Sequence, residues 1–97
     1  MKANLTNLRK VLKACAKAHN TTFHDWAGEC QLGLQSATPG TVCDVRMIAE
    51  AFFGRTDIIE VDTSWGWTIV WLEEFMWGNK SEVDMSLCAM ALPYGTI

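Results

Sequence analysis

The stretch Trp65-Gly66-Trp67-Thr68-Ile69-Val70-Trp71-Leu72-Glu73-Glu74-Phe75-Met76-Trp77 holds four of the chain's five tryptophans. Its β-branched triplet, Thr68-Ile69-Val70, stands between indoles, and branched and aromatic side chains fit a pleated surface better than a helix. The spacing therefore predicts a strand with Trp67, Ile69 and Trp71 on one face and Thr68, Val70 and Leu72 on the other. Both faces are apolar, so both want cover. Each indole carries roughly 150 to 250 Å² of contact surface. A chain of 97 residues cannot easily bury that much ring in one core, and the surplus is available to a partner.

Just upstream, residues 57–63 alternate, with Ile59 and Val61 on one side and Glu60 and Asp62 on the other, which predicts a second strand. A turn at Ser64 to Gly66 joins the two as a hairpin. Towards the N-terminus, Leu5, Leu8, Leu12, Cys15 and His19 recur at helical spacing, predicting a helix over 4–19 capped by Asn4 and ended by Asn20. Phe23, Trp26, Cys30 and Leu34 form a second helical stripe behind the Thr22 to Asp25 capping pattern, although Gly28 and Gly33 weaken it. Ser36 to Gly40 reads as a turn. Thr41-Val42-Cys43-Asp44 then caps a third helix, with Val45, Ile48, Ala49 and Phe52 inward and Gly54 as its stop. Ser81-Glu82-Val83-Asp84 opens a fourth, short helix with Val83, Leu87 and Met90 as its stripe. The expectation is a single small α+β domain over 1–97, made of about three N-terminal helices, a Trp-rich antiparallel β-hairpin and a short C-terminal helix.

At 49% hydrophobic and 20% charged residues, the composition is that of a folded protein rather than a disordered one. There is no continuous apolar run of membrane-spanning length and no secretory-signal pattern at the N-terminus, so the expected compartment is the cytoplasm and no membrane partner is expected. In a reducing compartment the widely spaced Cys15, Cys30, Cys43 and Cys88 read as small apolar side chains rather than a disulfide framework. Charge is segregated along the chain. Lys2, Arg9, Lys10, Lys13 and Lys17 precede the first acid, Asp25, whereas eleven acids face three cations in the remainder.

The residue types offer three site chemistries. Cys15, His19, His24 and Cys30 have metal-ligand residue types, and Cys15 and His19 lie one helical turn apart as two zinc ligands can. If 23–34 were helical, however, His24 and Cys30 would diverge, and Cys15 and His19 sit on an apolar stripe. No metal or other cofactor is therefore expected. A nucleophilic pairing of Cys30 with His24 or His19 rests on residue types alone, and no glycine-rich loop cradles phosphate, so no catalytic residues are expected and the protein reads as non-enzymatic. Arg9, Lys10, Lys13 and Lys17 give one helix a basic surface, which supports a nucleic-acid-binding regulator as the alternative. The helix over 42–53 offers Asp44 and Glu50 against Arg46, which repels a phosphate backbone.

The leading expectation is a small protein-binding module with an aromatic, acidic-rimmed contact surface formed by Trp65, Trp67, Trp71, Glu73, Glu74 and Trp77. Trp is favoured at interface centres, and acidic residues around such anchors select the partner. Small size without site chemistry is also the character of stoichiometric inhibitors and adaptors of the phage or mobile-element anti-defence type, by association of class. That association makes a host or defence-system protein the expected partner. The apolar excess is equally compatible with a homodimer.

Overall fold

The computed structural model describes residues 1–72 and 82–83. Helix α1 (Leu5–Ala18) begins where the Asn4 side chain accepts from the Asn7 N–H at 2.9 Å; His19 is its C-cap, and Asn20 just beyond, with a positive φ of 52°, turns the chain away. Its buried stripe, Leu8, Val11, Leu12, Cys15 and Ala16, keeps the three-and-four spacing of one face. Helix α2 (Pro39–Phe53) starts one turn earlier than its sequence suggests. Thr38 is its cap and Pro39 stands at its start, where a missing N–H costs nothing. Gly54 closes α2 in the left-handed conformation, donating its N–H to the Glu50 carbonyl.

The segment expected to be a second helix is a β-hairpin instead. Strands β1 (Phe23–Trp26) and β2 (Gln31–Leu34) pair antiparallel, Phe23 opposite Leu34 and Trp26 opposite Gln31. A 3₁₀ turn, Ala27–Glu29, and Cys30 at φ +59° connect them. Asp25 does not cap a helix: its carboxylate accepts from the Ala27 N–H at 3.1 Å and shapes this turn. Gly33, poor in a helix, is where the Trp26 ring comes to rest. The described residues thus contain two α-helices, not three followed by a fourth. At the expected start of the C-terminal helix, Glu82 forms an antiparallel bridge with Lys2, and the Val83 N–H donates to the Met1 carbonyl at 3.0 Å. The rest of that segment lies outside the described residues.

Strands β3 (Ile59–Asp62) and β4 (Trp67–Trp71) form the expected hairpin, with Ile59 opposite Val70 and Asp62 opposite Trp67. The Asp62 carboxylate accepts from the N–H groups of Ser64 and Trp65, and Gly66 supplies the positive φ that the turn requires. β4 also pairs with β2, giving a four-stranded antiparallel sheet in the order β1-β2-β4-β3.

Because side chains alternate along a strand, this register sorts the sheet into two faces. Leu32, Leu34, Thr68 and Val70, all essentially buried, point to the inner face. There Leu32, Leu34 and Val70 join one core with Leu8, Val11 and Leu12 of α1 and Val45, Ile48 and Phe52 of α2. Buried Thr68 satisfies its hydroxyl by donating to the Ser36 carbonyl at 2.6 Å. Both helices thus cover the inner face. The outer face carries His24, Trp26, Gly33, Trp67, Ile69 and Trp71.

Candidate functional site

The first hairpin brings two rings to the outer face that the sequence had placed on a helix. His24 stacks on Trp26 with centroids 5.3 Å apart and an interplanar angle of 28°. The Trp67 ring meets His24 edge-on at 4.9 Å and tilts against Trp26 at 5.0 Å. These separations are favourable for aromatic pairs. Gly33 makes the cluster fit, since a Cβ there would stand 2.8 Å from Cζ3 of Trp26. His24 Nε2 is buried with no hydrogen-bond partner.

Ile69 and Trp71 extend the same face along β4. Trp71 is 37% exposed, and Trp65, at the tip of the β3–β4 turn, is 78% exposed. Of the contact residues expected from the sequence, Trp67 and Trp71 therefore share one face and Trp65 stands at its end. Glu73, Glu74 and Trp77 lie outside the described residues. The charged residues on the outer face of the described strands are acidic, Glu60 and Asp62, opposite Ile69 and Trp67; none is Lys or Arg.

The basic residues of α1 lie in the other layer. Arg9 is engaged, with Nε 2.7 Å from Asp25 Oδ2. Although desolvation opposes it, the Ala27 N–H and the Arg9 guanidinium hold the Asp25 carboxyl below its ordinary range. Lys13 lies over the Phe23 ring at 5.9 Å, and Lys10, Lys13 and Lys17 are all exposed.

The four metal-ligand residue types of the sequence separate. His24 belongs to the aromatic cluster and Cys30 to the exposed β1–β2 turn. Cys15 and His19 instead meet Asp44 of α2, a residue the sequence reading had assigned only to helix capping and surface charge. The three donor atoms lie within 4.8 Å of one another, with His19 Nε2 2.5 Å from Asp44 Oδ2. Burial, and secondarily the Asp44 carboxylate, pushes the Cys15 thiol up to about 12. That places it far from an activated nucleophile. Local spacing sets Cys15 and His19 one turn apart, but only the packing of α2 on α1 brings Asp44 to them.

Among the described residues, concavities open on the surface. One, of about 460 Å³, takes in His19, Thr21, Ser36, Thr38 and Trp65. Another, of about 500 Å³, lies along α2 between Pro39 and Glu50, with the exposed thiol of Cys43 in its wall. Comparison of the chain with protein-family models, with curated proteins and with solved structures finds no match.

Proposed function

We propose that this protein is a non-enzymatic binding module whose outer sheet face and β3–β4 turn dock on another protein. The observation that carries the reading is the placement of Trp26, Trp67, Ile69 and Trp71 on the sheet face opposite both helices, with Trp65 exposed at its end. Rigid aromatic side chains on a strand scaffold bind at low entropic cost and serve as anchors. Glu60 and Asp62 edge the face, so the complementary partner surface is an apolar pocket with a basic rim.

The face is small. Four strands about 4.8 Å apart and four or five residues long span roughly 15 Å by 15 Å, well short of the ~800 Å² that each partner buries in a standard interface. Contact must therefore extend past the face to Trp65 and the adjoining loops. A stoichiometric inhibitor or adaptor works in this way, and a defence-system protein is the partner class in keeping with the sequence reading.

Nucleic-acid binding has weaker support. The exposed Lys10 and Lys17 are on α1, in the layer behind the sheet, while the rings point the other way. One strand of nucleic acid cannot easily use both for phosphate and base contacts. The two readings separate in one binding series. Changing Trp65 or Trp71 to Ala should weaken partner binding about 30-fold or more, the scale of an interface anchor. Changing Lys10, Lys13 and Lys17 together to Glu should leave it intact. The reverse pattern would favour nucleic acid.

A further inference from the structure

We propose that Cys15, His19 and Asp44 form a binding site for one divalent transition-metal ion of the zinc class, with a fourth position open to the groove that His19 and Trp65 line. The site lies apart from Trp26, Trp67 and Trp71, and its groove shares only Trp65 with the docking surface proposed above. Three features support it. The donor set, one sulfur, one imidazole nitrogen and one carboxylate oxygen, suits zinc and its neighbours and is wrong for the oxygen-seeking magnesium and calcium. Cys15 and His19 sit four residues apart at the end of α1, on one helical face, and Asp44 reaches them from α2. An ion there would tie the two helices together.

The distances also fit. Tetrahedral zinc, with bonds of about 2.0 to 2.3 Å, holds its donors about 3.3 to 3.8 Å apart. The three atoms already lie within 4.8 Å of one another. Two adjustments complete the geometry: the His19–Asp44 contact, at 2.5 Å, widens by about 1 Å, and the widest separation, up to 4.8 Å, closes by about 1 Å, both within reach of rotating the partly exposed His19 and Asp44 side chains. On binding, the Cys15 sulfur exchanges its proton for the metal, the proton passes to solvent, and no electron is transferred. Water from the groove, or a donor from a bound partner, completes the coordination.

The test uses the full chain, stripped with a chelator and titrated with Zn²⁺ by calorimetry and with Co²⁺ by absorption. One equivalent should bind, and the Co²⁺ complex should show a sulfur-to-cobalt charge-transfer band. That band should survive when Cys30, Cys43 and Cys88 are all changed to Ser, and vanish in Cys15→Ser. Asp44→Asn, which preserves shape, should weaken Zn²⁺ by about tenfold or more with the melting temperature of the metal-free protein little changed. Absence of saturable binding to the wild-type chain would overturn the proposal. So would loss of the band in the triple Ser variant, or wild-type affinity retained in Cys15→Ser or in Asp44→Asn.

Discussion

The indole of Trp26 lies across Gly33 of the neighbouring strand so closely that any β-carbon at position 33 would meet it at 2.8 Å. The ring is braced by His24 and Trp67, so it cannot move without unpacking the cluster. Gly33→Ala should therefore displace it and cost about 1 to 3 kcal/mol, as overpacking does. Denaturant unfolding and tryptophan fluorescence measure the two effects, and an unshifted spectrum with wild-type stability would refute the contact.

Exposure ranks the aromatic residues by their expected effect on stability. Trp65 is 78% exposed and Phe52 is fully buried. Trp65→Ala should change unfolding free energy by no more than about 0.5 kcal/mol, whereas Phe52→Ala should cost about 3 to 5 kcal/mol. Thermal melts of the two variants provide the comparison.

The cysteines should separate by reactivity. Cys30 and Cys43 are exposed and Cys15 is buried, with its thiol pushed up to about 12 by burial first and Asp44 second. In the native protein an alkylating reagent at neutral pH should modify Cys30 and Cys43 promptly and Cys15 only after unfolding. Peptide mapping by mass spectrometry shows the order, and early labelling of Cys15 would contradict the packing of α1.

Asp25 links β1 to α1 through Arg9, and its carboxyl sits below the ordinary value of 3.8 despite desolvation, because the Ala27 N–H and Arg9 favour its charge. A folded pKa below the unfolded one makes the contribution fully present above about pH 4 and lost as pH falls through the folded value. The acid limb of stability should accordingly be shallower in Arg9→Gln than in wild type. Urea midpoints between pH 2 and 5 provide the check.

Much of this fold is legible in the sequence because several local signals agree. In α1 the Asn4 cap, the apolar stripe and Asn20 all point one way, and in β4 the branched residues and indoles do the same. The segment 23–34 misleads because Phe23, Trp26, Cys30 and Leu34 fall at helical intervals by coincidence. Their real order comes from cross-strand contacts, the Trp26 ring on Gly33 and the pairing of β2 with β4, which are distant in sequence. His24 and Trp26 were missed as surface residues for that reason. Asp44 was missed beside Cys15 and His19 because only the packing of α1 on α2 brings it there.

The most direct test of the binding reading is a tagged capture from lysate of cells that carry this protein, with nuclease present throughout, comparing wild type with the Trp65→Ala/Trp71→Ala double variant. Quantitative mass spectrometry should find one protein recovered in near-equal amount with wild type and depleted with the double variant, while both chains melt alike. Equal recovery by the two chains, or recovery that disappears with nuclease, would contradict docking through the outer sheet face.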